Sequence, residues 1–401
     1  MFWKLQENVV SDADLDTLVD FIRHTKRFTQ FEKVREFEAA YSEWMGCKHS
    51  VFVNSGSSAN LLMIYAAAEL YGWKPSDEVI VPALTWPTTV TPVMQAGFKP
   101  VFVDANLNDL AFDYDQLAAK ITSKTRAIFL VHILGFPADV ARIKQIIGGR
   151  DIILLEDTCE TQGGKIDGVK VGNFGLGSSF SFYWGHHMTT VEGGMICTND
   201  EEFYKLNVLK RSHGLARELP EKYQPAIREA HPDIDFQFLF LTDGFNFRNT
   251  EFNAVLGLSQ LPKLNGFIEI RNRNYRRFHE ICSRYADDLF VFDRPGMSSF
   301  VLPFVFKDGA KKKSFQALIR DNGIESRPLI SGNLLQQPFL KKYYIPGDFE
   351  VADMLHRNAF YIGNNQFVDD SKVDVLEGLM HQFFDVARPN HLLEHGLGTR
   401  D

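Results

Sequence analysis

Cysteine is scarce in this sequence. Four occur in 401 residues, Cys47, Cys159, Cys197 and Cys282, and none form a CxxC pair. That scatter argues against a disulfide framework or a four-cysteine metal site and leaves isolated thiols as the reading. Basic charge is also short: 43 Lys and Arg face 51 Asp and Glu, a formal net charge of −8. Nucleic-acid polymers and anionic membranes reward a basic stripe, so neither is expected as a partner. No run of about 18 apolar residues occurs, so no membrane span is expected. The opening stretch MFWKLQENVVSDADLD has neither the basic start nor the apolar core of a secretory leader. A cytoplasmic location is the expectation.

What is present is a rhythm. Residues 13–45 read as helical, closing on Gly46, and a short apolar strand, a Ser/Gly turn and an Ala/Leu-rich helix ending at Gly72 follow. Strand candidates lie at 77–83, 99–105, 126–135 and 151–158, and crossover helices start near Pro87, Tyr114 and Ala138. Continuous apolar strands alternating with helices imply an α/β fold with a mostly parallel, doubly covered sheet. SSFSFYW and GGMICTN are expected to extend that sheet. The character changes near 265. The expected division is a large unit with an N-terminal helix over 1–264, a smaller α/β unit over 265–390, and a tail over 391–401.

Three motifs carry chemistry. NSGSSAN, residues 54–60, places a Gly/Ser turn between strand and helix. It reads as a phosphate site at a helix start, or equally as a plain cap by Ser57 or Ser58. LLEDTCET puts Glu156 and Asp157 at the carboxyl end of an apolar strand, the ligand edge of open α/β sheets. Solvated capping is the plainer alternative there. In SFSFYWGHHMTTVEGGM, a strand runs into His186 and His187. A buried hydrogen-bonded pair, a metal site and an acid/base histidine are the three readings. Zinc would recruit Cys159 or Glu160, but no ligand spacing supports it, and no metal is expected. VGNFGLGSS lacks the GxGxxG order and precedes a strand, so it is not a dinucleotide loop.

Taken together, REFEAAYSEWMGCKHSVFVNSGSSAN, TWPTTV, LLEDTCET, the histidine stretch, RSHG and GFNFRNTEFNAVLGLSQLPKL resemble the DegT-type sugar-nucleotide aminotransferases over about residues 25–390. These are pyridoxal-phosphate enzymes of the aspartate-aminotransferase fold, type I. The resemblance implies that Asp157 pairs with the protonated pyridine nitrogen and Trp86 stacks on the ring. It assigns Gly56, Ser57 and Ser181 to the cofactor phosphate. It brings Asn246, with Arg248 beside it, to that phosphate from a second subunit, making a homodimer with shared active sites. Glu160 stands where the family often has Gln, and Val191 where a Gly precedes Glu-Gly-Gly. Arg327, His213 and Arg217 are candidates for a substrate carboxylate or pyrophosphate, and each is equally readable as a surface ion pair.

One departure decides the reaction. The family's cofactor lysine follows Ser-Phe by four positions, and here that place holds His186. Residues 171–204 contain no lysine at all. Imidazole forms no stable Schiff base, so the cofactor would be held without a covalent bond, while histidine still moves protons. This pattern resembles the sugar 3-dehydratase branch, which acts in colitose and related dideoxysugar synthesis. Members with a [2Fe–2S] cluster carry clustered cysteines, and this chain does not, so no cluster is expected. The implied reaction uses pyridoxal and pyridoxamine phosphate, L-glutamate as amino donor and a 4-keto-6-deoxy sugar nucleotide. The C3 hydroxyl is lost and ammonia released, with His186 as base and then acid; an imidazole pKa of about 6.5 suits both tasks. A sugar 4-aminotransferase and a catalytically inactive scaffold are the other classes, and GDP, CDP and dTDP all stay open. Borohydride reduction of the cofactor-loaded protein is expected to leave no cofactor on the chain; a stable adduct at any lysine, seen by mass spectrometry, overturns that assignment.

Overall fold

Strands buried on both faces need covering helices, and the apolar runs deliver them in alternation. The computed structural model describes residues 2–343 and 347–385, so the expected tail lies outside the described residues. Helices α1 (Asp12–His24) and α2 (Glu32–Met45) precede β1 (His49–Val53) and α3 (Gly56–Leu70). Then come β2 (Glu78–Pro82), α4 (Pro87–Gln95), β3 (Lys99–Val103), α5 (Tyr114–Lys120), β4 (Thr125–Val131), α6 (Val140–Ile147) and β5 (Ile153–Asp157). A small hairpin, β6 (Lys165–Ile166) and β7 (Val169–Lys170), leads to β8 (Gly177–Ser181) and β9 (Gly194–Thr198). Helices α7 (Glu201–Arg211), α8 (Gln224–Ala230) and α9 (Glu251–Gln260) complete this half, and α10 (Leu264–Ser283) follows.

The large sheet has seven strands in the order β1-β9-β8-β5-β4-β2-β3. Its parallel pairs are β2–β3, β2–β4, β4–β5 and β5–β8. β8 and β9 do extend the sheet as expected, but β9 runs antiparallel to both of its neighbours, β1 and β8. The connection from β8 back to β9 is therefore a short loop on the carboxyl edge, and it carries the histidines.

The helix expected over 13–45 is two helices. Thr25 turns extended after α1, and Thr29 pairs with Thr250 in an isolated bridge. Phe31 offers α2 no side-chain cap. Glu251 of α9 caps it instead, accepting from the backbone N–H of Phe31, Lys33 and Val34 at 2.7, 2.8 and 3.0 Å. A cap supplied from 220 positions away leaves no local signal.

Beyond α10 lie β10 (Leu289–Phe290), β11 (Val301–Phe306), α11 (Gly309–Asp321), β12 (Ser326–Pro328), α12 (Pro338–Lys341), α13 (Glu350–Asn358), β13 (Ala359–Gly363) and α14 (Asp370–Phe384). A second sheet, β10-β11-β13-β12, packs Phe304, Phe306 and Phe360 against Phe315 and Phe384. We propose residue 264 as the domain boundary, because α10 starts there and this sheet lies wholly beyond it. The first residues nevertheless cross back: buried Trp3 donates from Nε1 to the Gly363 carbonyl at 2.9 Å and bridges Ile324. No helix among the described residues is long and apolar enough to cross a membrane.

Side chains alternate along a strand, so Glu156 and Asp157 leave β5 on opposite faces. Glu156 is fully buried and bonds His132 Nε2 at 3.0 Å. It also accepts from the N–H groups of Gly172, Phe174 and Gly175 at 2.8, 2.8 and 2.7 Å. Burial opposes its ionisation, yet His132 and these donors outweigh it and hold its pKa below the ordinary value. The glycine run before β8 thus wraps a carboxylate of the protein itself. Glu156→Ala leaves four donors facing nothing and is expected to cost about 3–5 kcal/mol. Asp374→Ala, at the exposed pair with Arg277, is expected to cost under about 1 kcal/mol. Chemical unfolding of the two variants checks the contrast.

Candidate active site

The carboxyl edge of the sheet opens into a cavity of about 400 Å³. Gly56, Ser57, Trp86, Asp157, Glu160, Ser181, His186 and Arg327 all line it. No lysine stands among the described lining residues. Asn246, Arg248, His213 and Arg217 do not reach it.

At one end sits the start of α3. The cap is Ser55, whose Oγ accepts from Ser58 N–H at 3.1 Å; neither Ser57 nor Ser58 plays that part. The first backbone N–H groups, at Gly56 and Ser57, are left without intrahelical partners beside the positive end of the helix dipole. A Cβ on Gly56 would lie 2.7 Å from Ser181 Cβ and 3.1 Å from Cys159 Sγ. Only glycine lets the turn approach Ser181 this closely.

Deeper in lies Asp157, 6% exposed. Its Oδ2 accepts from Asn60 Nδ2 at 2.8 Å and Thr89 Oγ1 at 3.0 Å, and its Oδ1 from Cys159 N–H at 3.2 Å. Thr85 donates in turn to Thr89 at 2.9 Å. The carboxylate is fixed by neutral donors only, which orients it while leaving its charge for a cationic partner. Trp86, at the entry to α4, keeps 58% of its surface exposed and lines the cavity.

His186 belongs to the β8–β9 loop. Its N–H donates to the Tyr183 carbonyl at 3.0 Å, and Thr190 N–H closes the loop on Phe182 O at 3.0 Å. Asn253 ties the Thr190 and Glu192 carbonyls at 2.6 and 3.0 Å. Val191 sits at φ +69°, the left-handed region that glycine adopts freely and a β-branched residue resists. That backbone explains the glycine usual at this place and shows that valine strains the loop.

The His186 ring stacks on Phe300, with centroids 5.2 Å apart. Its Nδ1 has no hydrogen-bond partner. Burial first, and the Arg271 guanidinium second, push its pKa down to about 4, against a small opposing pull from the Cys159 backbone. The expected value near 6.5 is thus corrected: the imidazole is neutral at pH 7. His187 turns away from the cavity, fully buried, with Nε2 3.1 Å from Ser298 Oγ. Glu160 moves oppositely. Burial, with a smaller push from Asp157, raises its pKa to about 8. Its Oε2 accepts from Leu134 N–H at 2.8 Å, and the side chain borders the cavity.

Asn246 and Arg248 bond each other at 2.9 Å, and Arg248 lines a separate arginine-bearing cleft with Arg27, Arg35 and Arg217. Arg217 donates to the Gln237 carbonyl at 2.7 Å. His213 is held at φ +61° with its N–H on Phe245 O at 2.7 Å. Sequence reasoning missed Asn60 and Thr89, although both lie inside quoted motifs. It also missed Leu5 and Gln6 on the cavity wall, where Gln6 Nε2 donates to the Trp184 carbonyl at 2.8 Å; nothing local marks them. The cysteines lie in three places: Cys47 and Cys197 either side of Ser50, Cys159 at the cavity, Cys282 in the small-sheet core.

These residues fit pyridoxal phosphate. The free N–H groups at α3 and Ser181 suit a phosphate, the unpaired Asp157 carboxylate suits a protonated ring nitrogen, and Trp86 suits a ring face.

Residues 10–379 match the DegT/DnrJ/EryC1/StrS aminotransferase family. The chain is 36% identical over 374 residues to GDP-4-keto-6-deoxy-D-mannose 3-dehydratase of Escherichia coli, covering 90% of this chain and 95% of that one. It is 38% identical over 352 residues to the enzyme of that name from Yersinia pseudotuberculosis, covering 84% and 88%. The solved structure of the E. coli enzyme with bound hydrated PLP superimposes with a TM-score of 0.87 at 34% identity, over 94% of this chain and 98% of that one. Sequence, fold and cavity agree: the chain belongs to the DegT/DnrJ/EryC1/StrS aminotransferase family.

Proposed function

We propose that this protein is a pyridoxal-phosphate-dependent 3-dehydratase of a GDP-linked 4-keto-6-deoxyhexose. L-glutamate is the amino donor and leaves as 2-oxoglutarate; the C3 hydroxyl departs as water, and a later hydrolysis frees ammonia. The observation that carries the reading is an imidazole, His186, in a family cavity whose described lining holds no lysine. The sequence left the nucleotide open, and the two GDP-sugar relatives favour GDP.

When bound, the cofactor supplies an amine for the substrate's keto carbon and an electron sink beside it. Gly56, Ser57 and Ser181 hold its phosphate, Asp157 holds the ring-nitrogen proton, and Trp86 covers one face. His186, neutral at working pH, takes a proton and, once protonated, returns it to the departing hydroxyl. Its depressed pKa makes the imidazolium a stronger acid than an ordinary histidine, which suits that second task. Glu160, protonated below about pH 8, presents an O–H donor where a family glutamine presents an amide N–H. Arg327 stands at the cavity wall as the cation for substrate anions. We also propose a homodimer in a cytoplasmic setting, with Asn246 and Arg248 completing the cofactor phosphate site of a second copy. In support, neither side chain lines the cavity of its own chain.

His186→Lys is expected to lower 3-deoxy product formation by about 10²–10⁴-fold. The new amine should also produce a lysine-bound cofactor absorption. His187→Asn should be milder, since His187 faces away from the cavity; the reverse ranking in ammonia and product assays would transfer the role to His187. Mixed dimers of Asn246→Ala and His186→Asn subunits should regain activity through one intact site, and failure despite verified exchange sinks the shared-site arrangement. For kcat/KM against pH, protonation of His186 removes the base below about 4, and ionisation of Glu160 removes the donor above about 8. The expected profile is flat between those limbs, with no loss centred on the ordinary imidazole value of 6.5.

A further inference from the structure

Arg271 on α10 is one of the largest fully buried side chains, 1% exposed. Among the described residues no carboxylate accompanies it, and burial alone lowers its pKa to about 9. A desolvated cation without a counter-ion is costly, and an apolar side chain of similar volume would fill the same space without that cost. The guanidinium instead reaches three backbone carbonyls from three segments through Nη1 and Nη2, while Nε has no partner. It donates to His186 O at 3.2 Å, to Phe300 O at 2.9 Å just before β11, and to Asn364 O just after β13. The residue thus fastens the β8–β9 loop to the small domain at His186 itself, without lining the cavity.

Its charge acts beside its grip. Phe300 stacks on both imidazoles, with centroids 5.2 Å from His186 and 6.0 Å from His187. Neither Nδ1 has a partner that would stabilise an imidazolium. The other titratable groups around His186 are Asp157, Cys159 and Glu160 at the end of β5, Tyr183, His187 and Glu192 on its own loop, and Arg327 and Tyr361 from the small sheet. The N-terminal segment contributes only Leu5 and Gln6. Asp157 is drawn on by Asn60, Thr89 and the Cys159 N–H, leaving Arg271 as the formal charge hydrogen-bonded to the histidine's own backbone.

We propose that Arg271 is a positioning residue for the reaction: it anchors the His186 loop through the His186 carbonyl and sets an unpaired positive charge behind that histidine. This rests on the reading of His186 as the base, but its test does not need turnover. Full-length, cofactor-free protein labelled with ¹⁵N in histidine is titrated by NMR, with the His186 ring signals assigned from their loss in His186→Asn. In the wild type those signals stay neutral well below pH 6.5. In Arg271→Gln, which keeps a donor and removes the charge, the His186 midpoint is expected to rise by about one unit or more. In Arg271→Lys, which keeps the charge and loses the fork, the midpoint stays low. The acid limb of kcat/KM should move up with the midpoint in Arg271→Gln, a shift that a merely structural role would not produce. A folded Arg271→Gln with an unmoved His186 midpoint overturns the proposal. So does Arg271→Lys titrating at the ordinary value, and that variant decides the matter if Arg271→Gln fails to fold.

Discussion

Everything at this site depends on how the end of β5 disposes of two adjacent carboxylates. Strand alternation sends Glu156 to one face and Asp157 to the other. Glu156 is satisfied within the protein by His132 and three backbone N–H groups, so it locks the segment that leads into β8. Asp157 receives only neutral donors and keeps an unanswered charge at the cavity floor. One carboxylate therefore builds the frame, and its neighbour defines what the frame can bind. If both were satisfied by charged partners within the protein, the cavity would lack a carboxylate available to a cation. If neither were, two buried anions would repel at one strand end.

The β8–β9 loop hangs from that frame. Its antiparallel return makes the connection short, and Phe182, Asn253 and Arg271 tie it down. Burial then sorts the two acid/base groups in opposite directions, because desolvation always penalises the charged form. The histidine loses its proton and the glutamate keeps one, so both are neutral near pH 7. The pair thus offers an acceptor and a donor in one cavity without adding net charge beside Asp157.

Much of this was legible in the sequence where function is written in local motifs. Strand order along the chain, the α3 turn, Asp157, Trp86 and the histidine in place of lysine all follow from short contiguous stretches. What stayed illegible acts across long separations. Glu251 caps α2, Gln6 reaches the Trp184 carbonyl, and Arg271 reaches the His186 carbonyl, each from more than 80 positions away. Which serine caps α3 was also hidden, since Ser55, Ser57 and Ser58 are chemically equivalent until backbone angles separate them. The imidazole's ordinary acidity was a natural assumption for a residue read in isolation. Burial and a guanidinium from α10 correct it.

A cofactor held without a covalent bond places its whole retention on the cavity walls. A lysine linkage would tolerate a loosely built phosphate site, because the bond itself prevents escape. In the proposed reading the α3 turn, Ser181, Asp157 and Trp86 would together supply the affinity, and the polar contacts among them gain strength as water is excluded. Two remote segments bear on the site. The N-terminal strap, fixed by Trp3 on Gly363, brings Leu5 and Gln6 onto the wall. Arg271 ties the histidine loop to the Phe300 carbonyl from behind the cavity wall. The exchange of lysine for histidine is therefore more than a change of one reacting group. In the proposed reading it shifts the burden of holding the cofactor onto the surrounding fold, where residues from local motifs make the contacts and long-range ties hold the segments that carry them.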